Sequence, residues 1–256
     1  MCGRFLLTAP IEAIRRIFAV EAVLNLAPRY NIAPTQETPV VRLDQAGGRA
    51  LAMLRWGLVP SWAKDATIGA KLINARADTV ATKPSFRAAF RQRRCLVPAD
   101  GFYEWQAGLP GKPRPGKPKQ PYLIARADKA TFAFAGLWEH WRDGGQVLET
   151  FTIITTDANK TLMPIHHRMP VILDPGNYAA WLDPKNKDAE ALLKPAPDDA
   201  LTAIPISTRV NAVRNDDPSL IAPVASDPPA PASGAGSAMR PAPKAKGAGP
   251  AQGSLF

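Results

Sequence analysis

Cysteine and histidine are scarce in this chain. Among 256 residues there are two cysteines, Cys2 and Cys95, and three histidines, His140, His166 and His167. Two cysteines make no disulfide framework, and no tight cysteine–histidine spacing of the kind that holds structural zinc is present. His166 and His167 are adjacent, and neighbours on an extended strand point to opposite faces, so neither a metal nor a cofactor is expected. Long apolar runs are also missing. No stretch of about 18 apolar residues occurs, so no membrane span and no membrane partner are expected. The opening MCGRFLLTAP has too short an apolar stretch for a secretory signal, and a cytoplasmic protein is expected. There is no glycine-rich dinucleotide fingerprint and no strand–helix–strand rhythm, which argues against a doubly wound parallel sheet.

Acidic residues are few beside basic ones, 22 against 32, and the formal net charge is +10. Such a surplus draws a protein to polyanions, with nucleic acid first and anionic membrane second. Only a small part of it lies in the last segment. Residues 223–256 are dominated by Ala, Pro and Gly and hold Arg240, Lys244 and Lys246 against Asp227. This composition does not offset the entropy of ordering a chain, so a flexible tail is expected after a folded body of residues 2–222. Within the body, residues 107–121 carry Lys112, Arg114, Lys117 and Lys119 and no acid. That segment reads either as a solvated hairpin loop or as an arm for phosphates.

The remaining pattern is one of short strands with a few helices. Residues 10–18 place Ile11, Ile14, Ile17 and Phe18 on one helical face behind Pro10. Strands are expected at 51–56, 95–100, 101–105, 131–141, 151–156 and 169–173. A short helix is expected at 174–182, opened by an Asp174 cap and Pro175. The fold expected is α+β, with a mainly antiparallel, curved or barrel-like sheet and peripheral helices.

Cys2 stands apart from Cys95, whose apolar neighbours point to core packing. Removal of Met1 would leave Cys2 as a 1,2-aminothiol, its amine and thiol both substantially nucleophilic near neutral pH. With an aldehyde the amine gives an imine, and the thiol closes a thiazolidine ring. A frayed terminus and an amide-hydrolysing N-terminal nucleophile are the rival readings of the same residue. Three other segments hold polar groups among apolar ones. In LINARADT, Asn74 and Arg76 share a face if extended; a turn or cap is the alternative. In ADGFYEWQ, Glu104 lies between Tyr103 and Trp105, where a carboxylate can exchange protons near neutrality, unless it is a surface residue of a half-buried strand. In PIHHRMP, His166 offers a proton shuttle. Trp56 and Trp62 offer stacking faces for unpaired bases, with Arg55 or Lys64 for phosphates, although at least one tryptophan is expected to pack inward.

MCGRF, RYNIAPTQ at 29–36, RWGLVPSW at 55–62, NARADT at 74–79, CLVPADGFYEW at 95–105 and IHHRMPVIL at 165–173 together resemble the SOS response-associated peptidase family, also called the abasic-site processing family. The likeness runs from residue 2 to about 220. It implies that Cys2 is the cross-linking residue after loss of Met1, and that Asn74 holds the N-terminal residue and the opened sugar. It implies that Glu104 moves protons during adduct formation and reversal, and that His166 is the acid that opens the sugar ring. Arg4 and Arg76 are implied as phosphate contacts and Asn31 as part of the same pocket wall. The resemblance further implies single-stranded DNA containing abasic sites, including 3′ junctions, as the partner. A monomer, associated with the nucleoid when on damaged DNA, is expected. Weak AP-lyase and autopeptidase activity go with this reading. A peptidase with an N-terminal cysteine and a non-covalent single-strand binder are the alternatives. Asp78 departs from the glutamate that many members carry there.

Overall fold

In a computed structural model the described residues are 2–21, 24–106 and 119–224. Most of the basic segment at 107–121, and all of the tail from 225 on, lie outside them.

Thirteen strands and three α-helices occur among the described residues. The strands are β1 (Phe5–Leu7), β2 (Arg29–Ile32), β3 (Glu37–Leu43), β4 (Arg49–Trp56), β5 (Asn74–Arg76), β6 (Arg94–Ala99), β7 (Gly101–Gln106), β8 (Gln120–Arg126), β9 (Phe132–Asp143), β10 (Gln146–Asp157), β11 (Arg168–Pro170), β12 (Ile172–Leu173) and β13 (Leu201–Pro205). The helices are α1 (Ile11–Phe18), α2 (Arg87–Gln92) and α3 (Tyr178–Leu182). In α1 the spacing of Ile14 and Phe18 buries one face, as the sequence pattern implies. Before α3, Asp174 makes no side-chain cap, contrary to the expectation. Pro175–Asn177 form a 3-10 turn instead, its last amide bonded to the Asp174 carbonyl.

The strands form two sheets. One runs β13-β8-β7-β1-β2. In the other, β10-β4-β3-β6-β9 are consecutive neighbours and β9 pairs again with β10, so five strands close into a ring. Closure leaves those strands without an open edge over the paired stretch. Pairing is antiparallel except where β10 meets β4 and β5. The fold is thus α+β with a barrel-like mixed sheet and peripheral helices. Strand β6 is buried along its whole length, and so is the first half of β9, which is why neither shows clean polar–apolar alternation. Strands there approach closely at Gly136, where an added Cβ would lie 2.9 Å from both Cys95 Sγ and Val97 Cγ2.

Alternation does operate in the five-stranded sheet. Phe5 and Phe102 face the main core, where Phe5 meets Trp56 edge-on at 5.1 Å. Leu6 and Tyr103 face a second cluster with Ile206, Val210 and Leu220. This sheet is therefore buried on both sides, by the barrel on one and by the C-terminal turns on the other. No helix among the described residues is long and apolar enough to cross a membrane.

Candidate active site

Cys2 lies three residues before Phe5, the end of β1 that pairs with Phe102 of β7, and it is fully buried in the main core. Its Sγ is 4.0 Å from the Arg4 carbonyl oxygen. Burial pushes the thiol pKa well up, and the negative charge of Glu104 adds to this. Glu104 shares the core-directed face of β7 with Phe102, by the two-residue period of a strand, and is only 3% exposed. Loss of water around it raises its pKa from 4.5 to about 7, against the pull of the positive N-terminus. Near neutral pH it is therefore divided between a proton donor and an acceptor, as the flanking aromatics led us to expect.

Asn74 opens β5, which runs beside β10 with Ile153 opposite Asn74 and Thr155 opposite Arg76. The Asn74 amide nitrogen donates to the Ile73 and Ile153 carbonyls at 3.0 and 3.5 Å. Its Oδ1 is buried and has no hydrogen-bond partner among the described residues, so it has acceptor capacity to offer a donor. Trp56 fixes the same place from below. Its indole N–H donates to the Ile73 carbonyl at 2.9 Å, while its ring packs on Phe5 and Phe151.

Trp56 is 0% exposed, so it offers no face to a base. The stacking expectation for it is corrected: it links β1 to the residue before Asn74. Trp62 is the outward one, 58% exposed, and lines an open groove of about 430 Å³ with Lys64 and Lys71.

His166 is half-buried on the turn before β11, and β11 pairs with β10 on the strand that also carries β5. Its Nδ1 is 2.9 Å from the Arg168 amide nitrogen and 3.0 Å from the Arg168 carbonyl oxygen. Burial lowers its pKa, and the positive N-terminus, His167 and Lys119 lower it further. Arg168 is itself buried, bonded to Asp157 Oδ1 at 2.8 Å and to the Thr155 carbonyl at 2.6 Å. The N-terminus and Lys119 act on both Glu104 and His166, and Glu104 acts on Cys2. These shared fields tie the three groups to one neighbourhood. Gln106 ties the two elements together, donating to the Pro164 carbonyl at 3.2 Å.

The basic residues divide. Arg76 is exposed but paired with Asp78, 2.6 Å from Nη2 to Oδ2. Arg4 is half-buried and bonds inward, to Asn31 Oδ1 and the Val210 carbonyl at 2.9 Å and to the Asn211 carbonyl at 3.3 Å. Asn31 is 0% exposed and spends its amide on the carbonyls of Val210, Ala212 and Asn215. Expected as pocket wall and as a DNA-binding residue, Asn31 is instead enclosed and offers DNA no direct contact. With Asp216 accepting from the Tyr30 and Asn31 amides and Arg29 Nε, it stitches β2 to residues 209–216. Trp105 joins the same stitching by donating to Asn211 Oδ1 at 2.7 Å. Sequence reasoning missed this segment because it has no hydrophobic period; its only signal is a run of turn-forming Asn and Asp. Lys119, read only as part of a basic loop, proves to be an exposed cation close enough to act on Glu104 and His166.

A buried N-terminal thiol, a protonatable carboxylate on the neighbouring strand and a strand-end asparagine and histidine define a class. The sequence model of the SOS response-associated peptidase family matches residues 1–213, and the chain belongs to that family. Among individual proteins it is similar to abasic site processing protein YoqW of Bacillus subtilis (strain 168), 44% identical over 228 residues that span 86% of this chain and 99% of YoqW. Abasic site processing protein HMCES of Xenopus tropicalis is 36% identical over 230 residues, 76% of this chain and 66% of that one. A crystal structure of a protein from Bacteroides thetaiotaomicron superposes with a TM-score of 0.76 at 29% identity, covering 88% of this chain and all of the other.

Proposed function

We propose that the protein captures abasic sites in single-stranded DNA as a covalent adduct of Cys2. The observation that carries this reading is Cys2 itself, buried beside a carboxyl group whose pKa stands at about 7. The names of the relatives support it. Met1 is removed, and the freed α-amine of Cys2 is the first nucleophile. His166 donates a proton to the ring oxygen of the closed abasic sugar, exposing the C1′ aldehyde. The amine adds to C1′, and water leaves as the imine forms. Glu104 takes the proton from the attacking amine and returns it to the departing hydroxyl. The thiol then adds across the C=N bond. Sulfur bonds to C1′, the nitrogen gains a proton, and nothing more is lost. Asn74, with an unpartnered buried carbonyl oxygen, receives an N–H from the N-terminal residue or a hydroxyl of the opened sugar. Ring closure protects the 3′ phosphate from β-elimination, so AP-lyase activity is the weak side path of the imine.

Trp62, Lys64 and Lys119 are the exposed groups best suited to flanking bases and phosphates. Arg76 joins them by its outer edge. We further propose that the protein acts as a monomer and accepts DNA with a 3′ junction. A peptidase reading has the family's name behind it, but it needs an oxyanion site and a peptide groove, and neither is evident among the described residues.

Intact-mass spectrometry tests the proposal. The protein should lack Met1 and form a 1:1 adduct with an oligonucleotide bearing one abasic site, lighter than the summed reactants by one water. Cys2→Ala keeps an amine and should give a transient imine and some nicking, but no stable adduct. A residue added before Cys2 should abolish the adduct too. Retained Met1, or an undiminished adduct with Cys2→Ala, overturns the mechanism.

A further inference from the structure

We infer that His167 is a positioning residue that controls when His166 carries its proton. The inference rests on the assignment of His166 as the ring-opening acid. The two imidazoles are stacked, with centroids 4.5 Å apart and planes 22° from parallel. His166 is half-buried, whereas His167 is exposed. In a near-parallel stack the in-plane N–H groups of one ring do not point at the other, so no hydrogen bond between them offsets repulsion when both are charged. One proton on the pair is tolerated, since a neutral ring face accepts a cation. A second is opposed by a unit charge at that separation.

The fixed side of His166 sharpens this coupling. Its Nδ1 lies between the amide nitrogen and carbonyl oxygen of Arg168, at 2.9 and 3.0 Å. With Nδ1 unprotonated, the Arg168 N–H donates to it. With Nδ1 protonated, it donates to the Arg168 carbonyl. Each state bonds one of the two Arg168 backbone groups and neither needs the ring to turn, so proton exchange with the sugar is assigned to Nε2. Arg168 cannot swing away, because its guanidinium is held by Asp157 and Thr155.

The charged groups that act on His166 are the positive N-terminus, His167 on its own segment, and Lys119 at the start of β8. All oppose a proton on it. Of these, His167 is the one stacked on the His166 ring. Charge on His167 therefore lowers the pH at which His166 takes up its proton.

Two variants separate charge from packing. His167→Phe keeps a ring to stack and removes the charge; His167→Asn removes both. The carbon-bound imidazole protons of His166, followed by NMR on the free protein, should titrate at higher pH in both variants than in wild type. At about pH 5.5 adduct formation should rise by up to about fivefold, the effect of a unit charge at that separation in water. Unchanged midpoints in both variants overturn the inference, and so does a shift in His167→Asn alone, which would be a packing effect. The titration needs no DNA. A wild-type protein that forms no abasic adduct therefore sinks the proposed function while the coupling of the two rings is still measured.

Discussion

At the scale of single residues, Glu104 makes two demands that pull against each other. Its pKa near 7 suits proton transfer, but holding a carboxylate in the core disfavours the folded state. Because the folded pKa is raised, the native protein binds the proton more tightly than the unfolded chain. The contribution is thus favourable below about pH 4.5 and is lost as pH rises through 7. The rise from 4.5 to about 7 corresponds to roughly 3 kcal/mol. Glu104→Gln should therefore flatten the stability profile between those pH values in denaturant melts, while slowing adduct formation by about 10²–10⁴-fold. An equally steep profile in the variant would place the carboxyl in water. Arg4 and Arg76 should separate in the same way. Arg76→Ala removes an exposed side chain and should lower the salt dependence of DNA binding by about one phosphate without changing the melting temperature. Arg4→Ala leaves the buried Asn31 carbonyl oxygen and the Asn211 carbonyl without this donor, and Val210 with only Asn31. It should cost about 1–3 kcal/mol of stability as well, readable as a fall in melting temperature.

At the scale of elements, close packing in the ring of strands can be probed where β9 meets β6. Gly136→Ala places a methyl against Cys95 Sγ and Val97 Cγ2, and overpacking of this kind costs about 1–3 kcal/mol. Adding Cys95→Ala removes one of the two clashing atoms, so the double variant should melt above Gly136→Ala alone; additive losses would show that the strands move apart instead. The same strands show why the sequence was legible in some places and not in others. Runs such as TFAFAGLWEHW announce a strand by composition. Strands β1, β2 and β5 are only three or four residues long, too short for a period to show. Cys2, Glu104, Asn74 and His166 could be singled out as candidates because each is a polar or reactive group in an apolar setting; their roles come from the family resemblance. That Trp56 and Asn31 are both fully enclosed could not be read. An aromatic among basic residues has the same pattern whether it faces a nucleotide or the core, and burial is decided by pairings distant in sequence.

At the scale of the whole molecule, the surplus of ten positive charges predicts DNA binding whose logarithm falls linearly with the logarithm of salt. Adduct yield on abasic DNA, measured after a long incubation, should be far less salt-sensitive than the initial rate, since the covalent product does not dissociate. Equal sensitivity of rate and final yield would point to a reversible complex. The stitching of Arg4 to Val210 and Asn211 carries a different kind of consequence, one of timing. The two ends of this bond are 206 residues apart in the chain, so a growing polypeptide cannot make it until nearly all of the body has been synthesised. Contacts of such separation form late and slowly. Until then Arg4 lacks the carbonyls of Val210 and Asn211 that hold it. Once the body closes, Cys2 is inside. On the proposed function, methionine removal is therefore expected on the nascent chain, before Cys2 is enclosed.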